Sequence, residues 1–239
     1  METNICKNCN YQTNEEFCSK CGHPVKLKKI DRDFIIQEIK SALFTDKGFL
    51  YTSKKIILSP GDSVRQYIEE DRSRYVKPIT YLIVTSLIYA IISHLLKSNY
   101  YTQYHVQIQS AMNHIFTWIM ENRVYSSIIM DFYMAFFIKI LFRKSKYNLF
   151  EIFILMCYLS GIKVLFISVA LIIQTLVNTN IITVLLSISM IYSFWAIGQF
   201  FEKKKAKSYF KAILSYVMGA FSLSLIFSIV AIIEALIRQ

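Results

Sequence analysis

Proline and glycine are scarce: three prolines and six glycines are spread over 239 residues. Apolar residues nonetheless make up 54% of the chain and aromatic residues 15%, a composition that argues against an ordinary soluble domain. Acidic residues are also few, 16 against 27 lysines and arginines, which leaves a formal charge of +11. No proline interrupts a long apolar run and no internal repeat is visible, so the broken helices and matching halves of many secondary transporters find no support. The first residues carry Glu2, Lys7 and cysteines in place of a basic start followed by an apolar core. No cleavable signal peptide is therefore expected, and the N-terminal part is expected to remain in the mature protein. His94, His105 and His114 combine with no nucleophile or carboxylate into a recognisable catalytic site, so a non-enzymatic protein is expected.

What the chain does have is a sequence of long apolar runs separated by short basic clusters. A spanning helix needs about 20 mostly apolar residues to cross roughly 30 Å of hydrocarbon, where an unpaired backbone amide costs several kcal/mol. Five segments qualify: 79–96, 125–142, 152–176, 181–200 and 209–237. Arg72, Arg74 and Lys77 precede the first; Arg143, Lys144 and Lys146 separate the second from the third; Lys203, Lys204, Lys205, Lys207 and Lys211 separate the fourth from the fifth. With five spans these regions share one side, and retention of basic residues inside makes that side cytoplasmic. The expected topology is that of a multi-pass protein of the bacterial inner membrane with a cytoplasmic N-terminus and an extracytoplasmic C-terminus. The loop from Lys97 to Val124 carries Val106, Ile108, Met112, Ile115, Phe116 and Ile119 near helical spacing. It reads either as an amphipathic helix on the outer surface, with Trp118 at headgroup depth, or as a lid packed on the bundle.

Ahead of the spans stand two CxxC pairs, Cys6 with Cys9 and Cys18 with Cys21, eight residues apart. Thiolates two residues apart on a tight turn reach one ion together, and two such turns supply the four soft ligands of a closed tetrahedral zinc site. In a reducing cytoplasm the competing pair of disulfides is disfavoured. A closed site of this kind folds a short peptide and leaves no open position for chemistry, so the zinc is expected to be structural; iron is the chemical alternative. His23 is not needed as a ligand once four cysteines fill the shell, and Cys157 lies within the third span as an apolar core residue. Nucleic acid is not an expected partner. The segment up to Lys77 holds fourteen basic and eleven acidic residues, so most of the excess charge sits at membrane edges, where it attracts anionic lipid. The chain thus divides into an expected zinc ribbon at 1–27, amphipathic juxtamembrane helices at 28–77 and an all-α transmembrane bundle at 78–239.

In the middle section Phe34, Ile35, Ile39, Ala42 and Leu43 recur at helical spacing, and a second apolar run ends at Leu58. Pro60-Gly61 breaks it, Asp62 or Ser63 can cap the next helix, and Val64, Tyr67 and Ile68 share one face. Such helices are expected to lie on the inner leaflet or to dock on the bundle. The residues Gly48-Phe49, Thr52, Pro60-Gly61, Val64-Arg65, Tyr67-Ile68, Arg72, Arg74-Tyr75, Pro78 and Tyr81-Leu82, preceded by the four-cysteine ribbon, resemble the bacterial membrane proteins grouped as domain of unknown function 3667. The resemblance implies architecture and a membrane location but no activity. Where that family usually has glycine and lysine before Arg72, this chain has Glu70 and Asp71. On physical grounds the two prolines bracket an elbow that feeds the chain into lipid, with Arg72, Arg74 and Lys77 at headgroup level and Tyr75 at the interface; the alternative is a solvated basic turn with topological meaning only.

Asp131 and Lys163 each lie sixteen residues from Tyr147, which in an antiparallel hairpin puts both near the midplane and predicts an ion pair between the second and third spans. That pair reads as a structural clamp or as part of an ion path. Tyr81, Thr85, Tyr89 and Ser93 form a polar stripe on the first span, and Ala220, Ser224 and Ser228 a small-residue stripe on the last; each is either a packing seam or a cavity lining. The sequence as a whole predicts a membrane-anchored interaction or scaffold protein whose partners are lipid, a cytosolic protein and further copies of itself. An oligomeric channel or transporter built on Asp131 and Lys163 is the alternative.

Overall fold

The computed structural model describes residues 4–5, 9, 11–13, 18–21, 48–96, 118–119, 122–177 and 181–237. Cys6, the apolar positions from Phe34 to Leu43, and most of the 97–124 loop lie outside the described residues. The chain divides into two compact units, residues 1–45 and 46–239. In the first, strands β1 (Asn4–Ile5) and β2 (Gln12–Thr13) pair antiparallel, with Asn4 opposite Thr13.

The described residues of the second unit are mostly helical. Two short helices, α1 (Phe49–Leu58) and α2 (Pro60–Glu69), are followed by a single 3-10 turn at Arg72–Arg74. The long helices α3 (Pro78–Leu95), α4 (Arg123–Leu141), α5 (Leu149–Val177), α6 (Ile182–Glu202) and α7 (Ala206–Ile237) come next. Among the described residues, five helices are long and apolar enough to cross a membrane, and they fall within a few residues of the five segments read from hydropathy. Their outer faces are studded with exposed Leu87, Ile91, Ile129, Phe136, Ile188, Ile191, Phe221 and Ile229. An apolar exterior of that extent is matched to lipid, not water. Serine hydroxyls inside the bundle fold back onto their own helices: Ser168 donates to the Val164 carbonyl at 2.9 Å and Ser193 to that of Ser189 at 2.8 Å, which satisfies them where no water reaches.

Helix α5 is the centre. It packs against α3, α4 and α6, while α7 closes a four-helix ring by contacting both α4 and α6. The polar stripe of α3 is a packing seam: Tyr81, Thr85 and Tyr89 are buried, and the Tyr81 ring lies where a side chain at Gly161 of α5 would stand, 2.6 Å from a Cβ built there. Glycine at 161 is what lets this aromatic ring reach the backbone of the central helix. The small residues Ala220, Ser224 and Ser228 instead face outward.

Helices α1 and α2 are amphipathic with one buried stripe each. Phe49, Thr52, Ser53 and Ile56 form the first and Pro60, Gly61, Ser63, Val64 and Tyr67 the second, the i, i+3, i+4, i+7 spacing of one helix face. Both dock on the bundle, α2 mainly on α6 and more lightly on α5. The contact is closest at Gly61, where an added Cβ would lie 2.4 Å from the Phe200 amide nitrogen and 2.5 Å from the Gln199 carbonyl carbon. Gly61→Ala is therefore expected to destabilise the purified protein by about 1–3 kcal/mol through overpacking. A detergent melting temperature equal to that of the unaltered protein would show that α2 is not seated on α6.

Candidate functional site

The cysteine cluster belongs to the first unit. The sulfur atoms of Cys9, Cys18 and Cys21 lie within 4.8 Å of one another, with Cys18 buried, and those of Cys9 and Cys18 are 3.5 Å apart. A disulfide requires about 2.05 Å, whereas two thiolates on one tetrahedral zinc at roughly 2.3 Å stand about 3.8 Å apart. In sequence the first CxxC pair lies between β1 and β2, whose pairing brings Thr13 back beside Asn4, and the second CxxC pair follows β2. These three residues could hold a metal ion; the fourth expected ligand, Cys6, lies outside the described residues. Cys18 and Cys157 are free thiols. Purified protein is expected to carry one zinc per chain by elemental analysis, lost in Cys18→Ser and Cys21→Ser, with helical circular dichroism unchanged because residues 46–239 form a separate compact unit.

The second constellation is the junction between the elbow and the spans, where long polar side chains reach exposed ends of backbone. Helix α2 begins with proline at its first position and has no cap from its own Ser59 side chain. Its Gly61 N–H donates instead to the Gln199 Oε1 of α6 at 2.8 Å, so a side chain from another helix satisfies an amide that a helix start leaves open. Tyr192 donates to the Ile56 carbonyl in the last turn of α1 at 2.5 Å. Tyr158 donates to the Val76 carbonyl at 2.7 Å, and the Val76 N–H donates to Thr52 Oγ1 at 3.0 Å. Tyr81 and Ser53 share a hydrogen bond of 3.0 Å. Around these bonds the rings of Phe49, Tyr67, Tyr75, Tyr81 and Tyr158 form one continuous aromatic cluster.

Charges sit on the outside of this junction. Asp62 meets Lys203 at 2.9 Å and also Arg65. Burial pushes the Asp62 carboxyl up, but the hydrogen bonds and charges of those two cations outweigh it and leave the group below the usual carboxylate range. Glu69 accepts from Lys146 at 2.8 Å and from the Tyr147 hydroxyl at 2.6 Å, which likewise holds its carboxyl low. Because Asp62 and Glu69 are on α2 while Lys203 and Lys146 are on the α6–α7 and α4–α5 connections, three basic regions of the sequence gather at one end of the bundle.

The residues read as a headgroup site divide. Arg72, Arg74 and Lys77 are exposed. Arg74 pairs with Asp71 at 3.2 Å, and Asp71 also accepts from the Ser73 N–H at 2.8 Å, so the acidic residue of this turn caps it. Tyr75 is not at an exposed interface: it is buried, and its hydroxyl donates to Gln66 at 2.7 Å. The aromatic cluster offers its ring more apolar contact than a headgroup layer would.

The expected Asp131–Lys163 ion pair is not formed. Asp131 is buried and accepts from Ser160 at 2.5 Å through one carboxylate oxygen, while its other oxygen has no hydrogen-bond partner. Lys163 is exposed on the outer face of α5. Equal distance from the turn places both residues at similar depth, but three residues beyond Ser160 the helix has rotated Lys163 roughly 60° away from Asp131. Lys163→Met is expected to leave the melting temperature unchanged and Asp131→Asn to lower it only slightly. Loss of either half of a buried ion pair would instead cost about 3–5 kcal/mol, so a large drop for Lys163→Met would restore the pair.

Among the residues that hold the junction together, Gln199, Tyr158 and Tyr192 were not singled out in the sequence. A glutamine at the end of an apolar span and tyrosines within two spans were the available signal. Five apolar helices with an amphipathic elbow docked at their basic end define a multi-pass helical membrane protein. Residues 46–90, which contain α1, α2, the 3-10 turn and most of α3, match the family model described as "Protein of unknown function (DUF3667)". The resemblance read from the motif is thereby borne out over the segment that carries it. No curated protein and no solved structure matches the chain.

Proposed function

We propose that the protein is a non-enzymatic, membrane-anchored interaction platform, in which a zinc-folded N-terminal knob engages a cytosolic protein and the five spans hold it at the inner membrane. The observation that carries this reading is the use made of residues 46–90. Thr52, Ser53, Gly61, Tyr75 and Tyr81 all bind within the junction, which fastens the elbow to the bundle as a rigid mount. A platform needs such a mount; a catalyst needs side chains directed at a substrate. The basic end of the bundle takes the cytoplasmic side in this reading, by retention of positive charge, and the cysteines then lie in a reducing compartment that favours zinc over disulfide.

Photocrosslinking in intact cells tests it. A photoreactive residue in place of the exposed Lys20, beside Cys18 and Cys21, is expected to capture one defined protein, and Cys18→Ser is expected to abolish capture. No captured protein, or capture that survives the cysteine change, would overturn the platform reading. An oligomeric channel is the second reading, favoured by the partnerless Asp131 oxygen and by Lys163 on the outer face, where another copy would cover it. Conductance in liposomes that vanishes in the Asp131→Asn, Lys163→Met double variant would establish that reading in place of the first.

A further inference from the structure

Where α2, the α4–α5 turn, the end of α6 and the start of α7 converge, they border a half-open cavity of about 640 Å³, a size that accommodates a small ligand. Its lining carries five cations (Arg65, Lys144, Lys146, Lys207 and Lys211) and two carboxylates (Glu69 and Glu202). Both carboxylates are already engaged, Glu69 by Lys146 at 2.8 Å and Glu202 by Lys205 at 3.0 Å, and Arg65 is paired with Asp62. Among the described residues, no carboxylate pairs with Lys144, Lys207 or Lys211. Three ammonium groups facing one concavity repel one another, and the positive end of the α7 dipole adds to the same field. Retention of positive charge explains lysines at this end of the bundle, but not their convergence on one hollow.

The remaining lining has the character of a built site. The Phe142 and Phe201 rings stack at 3.8 Å, and the Lys211 ammonium lies 5.2 Å from the Phe142 ring, so the cation is held by an aromatic face while its protons stay available. The Ser145 hydroxyl is buried with no hydrogen-bond partner, a donor left over beside the lysines. Phe150 and Phe210, in the first turns of α5 and α7, are each 67% exposed and give apolar surface at the same end of the bundle.

We propose that this cavity binds a phosphate-bearing anion, held by Lys144, Lys207 and Lys211. Compact ammonium groups bind phosphate oxygens as point charges, and basic pockets between spanning helices at the cytoplasmic side take acidic headgroups. With the five spans in the bilayer, a cavity at the end of the bundle with exposed phenylalanines at the same end favours an acidic phospholipid as the source over a soluble phosphate.

The full chain in phosphatidylcholine nanodiscs separates these sources. Short-chain phosphatidylglycerol, added at constant ionic strength, is expected to raise the melting temperature saturably. The triple variant Lys144→Gln, Lys207→Gln, Lys211→Gln is expected to bind at least tenfold more weakly, and Lys54→Gln, Lys55→Gln, Lys204→Gln, with the same charge change away from the lining, to bind as before. Inorganic phosphate in a parallel titration identifies the source. A lipid effect without a phosphate effect assigns a headgroup site, and saturation by both assigns a site for soluble phosphate. The proposal is overturned if neither probe saturates, or if both triple variants lose binding equally.

Discussion

Everything at the basic end of this protein depends on how closely α2 can approach α6. The approach is set at Gly61, whose missing side chain lets the first turn of α2 rest on the backbone of Gln199 and Phe200. Proline at position 60 removes one amide that would need a partner, and the Gln199 carboxamide takes the next. With the start of α2 fixed in this way, its far end presents Glu69 to Lys146 and Tyr147, and its outer face presents Asp62 to Lys203. The surface ion pairs are individually weak. They sit on a contact already defined by backbone packing and buried hydrogen bonds, and they give it its register.

The aromatic cluster beneath the elbow solves a particular problem of membrane entry. Residues 70–77 must pass from a docked amphipathic helix into a span, and their backbone groups cannot all pair with one another. Tyr158 and Thr52 serve Val76 from both sides, while Tyr192 serves the end of α1. Hydroxyls carried on aromatic rings suit this place, since the ring contributes apolar packing and only the tip needs a polar partner. It is consistent that this segment, and not the bundle as a whole, is what matches a known family.

Much of this was legible in the sequence because bilayer thickness and backbone desolvation act on composition alone. The span boundaries, the amphipathic elbow helices and the shared end of the basic clusters all follow from hydropathy, helix periodicity and charge retention, whereas periodicity left open whether the elbow lies on lipid or docks on the bundle. The cysteine spacing likewise pointed to the cluster now seen for Cys9, Cys18 and Cys21. What the sequence concealed was rotation about helix axes. Counting residues from Tyr147 gave the depth of Asp131 and Lys163 but not their facing, and Ser160, an unremarked residue, is the one that meets Asp131. Tyr75 was misplaced for a related reason, since its partners Gln66 and Tyr67 become neighbours only once the chain doubles back after α2. The basic cavity could not be read at all, because its walls come from α2 and from the α4–α5 and α6–α7 connections, whose proximity is a property of the assembled bundle.

The central place of α5 carries a consequence for how the protein is made. The first span, α3, packs principally on α5 and only slightly on α4, its neighbour in the chain. During synthesis it therefore enters the bilayer ahead of the helix that buries its tyrosine stripe. Until the third span arrives, Tyr81, Thr85 and Tyr89 have lipid around them in place of α5. The nascent protein thus passes through a stage in which its earliest span is inserted but unpartnered, and the elbow acquires its seat only after α6, the fourth, has followed.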